Sequence, residues 1–159
     1  MMGTLSGIFI AEAAGAPMQS LARAEFIAGS GIAGDRYVAG TGTFSPKAKP
    51  PSQEVTLVEA EQIDEFNAAT GSAMRPEDLR RNLITRGVRL NDLVGVEFSI
   101  GGVVLKGIRL CEPCSYLAGL TSDAVLKNLV HRAGLRAAIV SGGVASVGDP
   151  IATATAHPI

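Results

Sequence analysis

The sequence predicts a mainly β protein, an antiparallel barrel with two to three peripheral α-helices. Short segments rich in Val, Ile and Leu follow one another closely, and glycine-containing turns separate them. Only two or three stretches carry helical spacing. The regular β-α-β alternation that a parallel sheet requires is absent. With 159 residues, 47% of them hydrophobic and 18% charged, the chain is long enough to bury its own core and reads as one domain over residues 1–159.

Taken in order, residues 4–11 form an apolar first strand, and Gly15-Ala16-Pro17-Met18 a turn. Residues 22–28 alternate loosely and read as a second strand. Gly29-Ser30-Gly31-Ile32-Ala33-Gly34 spells G-x-G-x-x-G, but the chain continues into Gly40, Gly42, Pro46, Pro50 and Pro51. No helix survives there, so the dinucleotide fingerprint lacks the helix N-terminus it needs. Its glycines suit a tight loop that aims Asp35 and Arg36. Residues 39–53 form one long loop rich in Gly, Pro, Lys and Ser, either a lid or a plain excursion.

Glu54 to Val58 reads as a strand with Val55 and Leu57 inward and Glu54 and Thr56 outward. A helix follows from about Glu59 to Thr70, with Ile63 and Phe66 at helical spacing and Gly71 as its stop. Pro76-Glu77-Asp78-Leu79 predicts a short helical turn. It leads into a strand over residues 80–87, where Arg80, Asn82 and Ile84 would share one side and Arg81, Leu83 and Thr85 the other. Leu90 to Val94 is a turn, and residues 97–100 and 103–110 form a hairpin around Gly101-Gly102. Ser122-Asp123 caps a helix through about Ala133. Residues 136–140 and 151–156 complete the strands, with turns at Gly142-Gly143 and Gly148-Asp149-Pro150.

Composition narrows the function classes. The formal net charge is −1 and no run of Lys or Arg occurs, which argues against a general nucleic-acid surface. No apolar run approaches the length of a membrane span. Ala11 to Ala16 resembles a small-residue cleavage site, but the positive segment of a signal peptide is missing before it. These cues point to a cytoplasmic protein with reduced thiols that acts on small molecules.

Both cysteines lie in Cys111-Glu112-Pro113-Cys114, directly after the strand ending at Leu110. A structural zinc site needs four ligands, and the remaining nitrogen donors, His131 and His157, are poorly spaced for it. A dithiol redox pair is the sharper reading, although thioredoxin-type motifs belong in a β-α-β context that is missing here. Alternatively one cysteine is functional and the other a small buried hydrophobe. The second constellation is Arg80-Arg81-Asn82 with Thr85 and Arg86. Guanidinium forks suit phosphate and an Asn amide suits a heterocycle edge, while two arginines at a strand start also suit a solvated face. His131, Arg132 and Arg136 form a weaker third group, with the histidine at a helix end.

Laid out in order, these residues resemble a MOSC domain, the module named for the C-terminal part of molybdenum-cofactor sulfurases. The resemblance runs through Gly31-Ile32-Ala33-Gly34-Asp35-Arg36, Val55-Thr56-Leu57-Val58, Arg80-Arg81-Asn82-Leu83, Leu93-Val94-Gly95, the cysteine loop and Gly148-Asp149. It implies a β-barrel with peripheral helices and a functional cysteine after a strand. The family pattern P-C-x-x-L places that cysteine at Cys114, with Cys111 as a supporting or resolving thiol. It carries the pterin and phosphate contacts onto Arg80 and Asn82, with Arg81 beside them and Thr85 a weaker carry-over.

The resemblance thus implies a free-standing, bacterial-type member that binds molybdenum cofactor, with Cys114 as the metal ligand. The chemistry would be reduction of N-hydroxylated or related oxidised substrates, with electrons from a separate donor protein. A sulfur carrier with a persulfide on Cys114, supplied by a separate sulfur donor, is the alternative. A non-catalytic binding protein and a Cys111/Cys114 dithiol protein are further ones. Pyridoxal phosphate is not expected on this domain. Both main roles need a deprotonated, accessible sulfur, which a nearby cation such as Arg109 favours. Because the resemblance places the functional cysteine at Cys114, Cys114 is expected to alkylate faster than Cys111 in the native protein. A short iodoacetamide pulse read by peptide mass spectrometry checks this, and the reverse order contradicts it.

Overall fold

The computed structural model describes residues 3–12, 16–35, 54–71, 73–110 and 134–153. Eleven strands occur among them. They are β1 (Gly3–Ile10), β2 (Gln19–Leu21), β3 (Arg23–Ile27), β4 (Gly31–Ile32), β5 (Val55–Glu59), β6 (Leu83–Arg86), β7 (Glu97–Ile100), β8 (Val103–Leu110), β9 (Leu135–Ser141), β10 (Gly143–Ser146) and β11 (Pro150–Thr153). One α-helix, α1 (Ala60–Thr70), and 3-10 turns at Pro76–Leu79 and Leu90–Leu93 accompany them.

Seven strands close into the expected barrel, in the order β11-β7-β8-β9-β5-β6-β1, with β1 pairing back to β11. Closure leaves these strands without a free edge. All pairs around the ring are antiparallel except β5–β6. A parallel pair needs a crossover, and α1 with the Pro76–Leu79 turn supplies it. Strand β2 extends the sheet beside β1, and β10, β3 and β4 form a separate three-stranded sheet.

The barrel interior is filled by Leu5, Ile8, Val55, Leu57, Leu83, Phe98, Ile100, Leu105, Leu135 and Ile139, all buried. A second apolar layer lies between the barrel and α1, where Val58 and Ile84 meet Ile63, Phe66 and Leu79. The helix forms where its spacing predicts and ends at Gly71 in the left-handed conformation, φ 71°. Asn67 ties the following loop to the helix by accepting the Met74 N–H at 2.8 Å and donating to the Met74 carbonyl at 2.9 Å.

Several expectations need correction. Glu54 and Thr56 do not face outward to solvent but are buried, 5% and 1% exposed. Strand β5 lies between β9 and β6 with apolar layers on both faces, so its polar side chains are enclosed and hydrogen-bonded instead. The strand expected from Arg80 begins only at Leu83, because Arg80 adopts a left-handed conformation at the end of the 3-10 turn. Strict alternation of faces across Arg80, Arg81 and Asn82 therefore does not hold. The turn expected at Gly142-Gly143 is shorter, since Gly143 already opens β10, and the segment after Pro17 yields β2. The expected helix over 122–133 and the loop over 39–53 lie outside the described residues.

One glycine has a steric reason. A Cβ on Gly107 would collide with the carbonyl oxygen of Leu93, because the backbone of residues 93–95 crosses directly over β8. Gly95 donates to the Gly107 carbonyl at 2.8 Å, and Gly107 donates to the Val96 carbonyl at 3.1 Å. The register of β8 shifts between Gly107 and Arg109. Such irregularities re-aim the strand that follows. Gly107→Ala is expected to destabilise the protein by about 1–3 kcal/mol through overpacking, read as a lower midpoint in urea unfolding.

Candidate functional site

The Arg80-Arg81-Asn82 segment enters the barrel at the point where β1 leaves it. Asn82 is fully buried and connects three strands. Its side-chain oxygen accepts the Thr56 N–H at 3.0 Å and the Thr56 hydroxyl at 3.1 Å. Its amide nitrogen donates to the Phe9 carbonyl at 3.1 Å. The Asn82 N–H donates to the Thr56 hydroxyl oxygen at 3.0 Å, and the Asn82 carbonyl accepts the Phe9 N–H at 2.7 Å. An amide side chain offers two N–H donors, so one remains for another acceptor. Asn82 thus acts mainly as a bracket that sets where its two arginine neighbours sit.

Arg81 is 8% exposed and Arg80 is half-buried; both are engaged with neighbouring groups. Burying a guanidinium costs free energy unless its surroundings compensate the charge. Two buried carboxylates occupy the same end of the barrel. Asp35 accepts the Ala11 N–H at 3.0 Å, and Glu54 accepts the Ile139 N–H at 2.8 Å. The tight loop through Gly34 therefore aims Asp35 into the protein, where it anchors the end of β1. Arg36 lies outside the described residues.

Thr85 is placed differently from the arginines. It is fully buried, with its hydroxyl 3.5 Å from the Val58 carbonyl. Arg86 is exposed and meets Asp64 of α1 at 3.3 Å. Arg109 is exposed on β8 and lies opposite Arg136 of β9. Cys111, Cys114, His131, Arg132 and His157 lie outside the described residues.

Strand directions separate the two constellations. Strand β6 is parallel to β5, β5 antiparallel to β9, and β9 antiparallel to β8, so β6 and β8 run the same way. Arg80–Asn82 precede β6 and Leu110 ends β8, so they lie at opposite ends of the barrel. At the β8 exit end a shallow polar groove is lined by Glu59, Gln62, Arg89 and Asn91. Glu59 also accepts the Leu90 N–H at 2.9 Å. Sequence reasoning missed this groove, since its residues are brought together only by α1 packing beside the Leu90–Leu93 turn. It also missed the buried roles of Glu54 and Asp35; an acid inside an apolar strand and an acid after a glycine turn were the available signals.

Among the described residues no His, Cys, Asp and Glu side chains gather in a group that could hold a metal, and no helix is long and apolar enough to cross a membrane.

A family model described as the MOSC domain matches residues 39–152. The chain belongs to the MOSC domain family. That family is associated with molybdenum-cofactor binding. No curated protein matches the sequence significantly. Among solved structures, the YuaD protein from Bacillus subtilis is similar with a TM-score of 0.80 at 21% identity, covering 95% of this chain and 94% of that one. YiiM from Geobacillus stearothermophilus is similar with a TM-score of 0.65 at 13% identity, covering 96% and 73%. YiiM from Escherichia coli gives 0.62 at 15%, covering 94% and 69%. At these identities the likeness is one of fold, and it agrees with the closed MOSC barrel described above.

The bracket at Asn82 yields a direct test. Asn82→Ala removes three side-chain hydrogen bonds and leaves the Thr56 N–H and Phe9 carbonyl without them. It is expected to cost about 2–4 kcal/mol, measured by urea unfolding, whereas Thr85→Val should cost less. Equal stability of Asn82→Ala and wild type would contradict the bracket.

Proposed function

We propose that this MOSC protein binds molybdenum cofactor, with Arg80 and Arg81 receiving its anionic pterin-phosphate end and Cys114 supplying a thiolate to the metal. The observation that carries this reading is the family match over residues 39–152, which contains both the arginine pair and the cysteines. The donor set fits the group. Guanidinium forks match phosphate oxygens, and a soft thiolate suits molybdenum. When bound, the cofactor supplies redox chemistry suited to reducing N-hydroxylated or related oxidised substrates.

The chain's own residues do the rest. Arg81, nearly excluded from water, attracts an anion more strongly than an exposed guanidinium does. Asn82 fixes the backbone from which both arginines extend and has one N–H left to offer. Thr85 is enclosed and contributes to packing rather than to binding. Cys111 supports the Cys114 thiolate. Electrons come from a separate partner protein.

A second reading has one observation in its favour. Strand β8 leaves the barrel at the end opposite Arg80–Asn82, so a thiol that acts there needs no contact with the arginines. In that reading the Cys114 thiolate takes the outer sulfur of a donor protein's cysteine persulfide, freeing the donor's thiol, and Cys111 then attacks the Cys114 persulfide, releasing sulfide and leaving a Cys111–Cys114 disulfide that a dithiol reductant reopens. This is a sulfur-carrier role without a bound cofactor.

Elemental analysis after expression in a cofactor-producing host separates the two. Near-stoichiometric molybdenum is expected in wild type, with loss in Cys114→Ser and a fall to about half or less in Arg81→Ala, as a roughly tenfold loss of affinity, the scale of one charge-assisted contact, gives from near saturation. No molybdenum in any of them, with a mass increase of one sulfur on Cys114, would favour the persulfide reading instead.

A further inference from the structure

The small sheet β10-β3-β4 packs one face on the barrel and exposes the other. Successive side chains of a strand point to opposite faces. On β3 and β10 the inward positions Ala24, Phe26 and Ala145 are buried in the barrel core. The outward positions are Arg23, Glu25 and Ile27 on β3 and Val144 on β10, all exposed. Register sets Val144 directly across from Glu25. Five large hydrophobic side chains are exposed among the described residues, and four of them belong to this sheet or its margins, between 37% and 53% exposed. Ile27 and Val144 stand on the outward face, Val140 precedes the corner where β9 passes into β10, and Val147 follows β10. Gly142 turns that corner against the Phe26 carbonyl, which brings Val140 and Val144 to the same margin as Ile27. A lone exposed valine needs no explanation, but apolar side chains gathered at one place mark a contact surface.

Arg23 and Glu25 decide what this surface contacts. They lie two residues apart on the same face, and among the described residues neither side chain forms an ion pair. A face with one cation and one anion in line carries its own counter-charges. When a two-fold axis crosses β3 at the level of Ala24, strand direction reverses across it, and Arg23 of each copy meets Glu25 of the other. An isologous interface requires such self-complementarity. An acidic or a basic partner would be attracted by one of the two charges and repelled by the other. We infer that a second copy of this chain docks here, sheet face to sheet face, with Ile27 and Val144 beside two reciprocal Arg23–Glu25 pairs. The apolar patch is small, so the dimer is a weak one that fills at high protein concentration. The surface is separate from the residues assigned to cofactor or sulfur, and the inference does not depend on either role.

Sedimentation velocity across a concentration series of the full chain tests this. Wild type is expected to pass from one chain mass toward two as concentration rises. Val144→Asp, Arg23→Glu and Glu25→Arg each alter an exposed side chain, so their melting temperatures should stay within about 2 °C of wild type. Each should weaken self-association roughly tenfold or more, the two charge reversals because they turn both reciprocal pairs into like-charge contacts. An equimolar mixture of Arg23→Glu and Glu25→Arg should dimerise again, since the mixed pair restores both attractions. Wild type that stays monomeric throughout would overturn the inference and leave the face to a different protein. A dimer that the three variants leave intact would place the contact elsewhere, and a mixture that stays monomeric would remove the reciprocal charge pairs on which the second copy was chosen.

Discussion

The barrel depends on how its single parallel pair is held at its open end. Strands β5 and β6 run side by side in the same direction, so no tight hairpin can set their register. Asn82 supplies the missing constraint. It bonds Thr56 of β5 through both side chain and backbone, and Phe9 of β1 in the same way. One buried amide thereby joins three strands at the point where a crossover has just returned the chain to the sheet. A buried polar group with most of its bonds made specifies a unique arrangement, because any slip leaves its donors and acceptors buried without partners.

That constraint organises the charges around it. Asp35 and Glu54 are enclosed at the same end of the barrel, each accepting a backbone N–H, from Ala11 and Ile139. Arg81 is nearly as deeply enclosed, and Arg80 is held beside it in a conformation that glycine would adopt more readily. Two buried acids, a buried arginine and a half-buried one form an ordered electrostatic environment at this end.

The opposite end is built by different means. There the backbone of residues 93–95 lies against Gly107, and Gly134, φ 121°, brings the returning chain against the Leu57 carbonyl. Close backbone contacts thus fix the points from which residues 111–133 depart and return. Glu59 and Glu61, at the start of α1, accept N–H groups of Leu90 and Gly87, which joins the helix to the neighbouring turn. The MOSC barrel therefore offers two chemically distinct ends, one rich in buried charge and one where β8 ends at Leu110 and β9 begins at Leu135.

Much of this was legible in the residues. Apolar strands in quick succession and glycine turns determined a closed β architecture, the Ile63 and Phe66 spacing determined the helix, and Gly101-Gly102 determined the β7–β8 hairpin. Local physics suffices for those, since period and turn chemistry act between near neighbours. The order of motifs also carried the family. What only the tertiary structure decided was the environment of each polar residue. Glu54 and Thr56 look like the outer face of a half-exposed strand, and a second apolar layer encloses them. Arg80 looks like part of a strand, and the preceding turn gives it a left-handed backbone. Asn82 looks like a free ligand donor, and Thr56 and Phe9 occupy most of its hydrogen-bonding capacity. Burial and partnership arise from residues distant in the chain, so no local pattern encodes them.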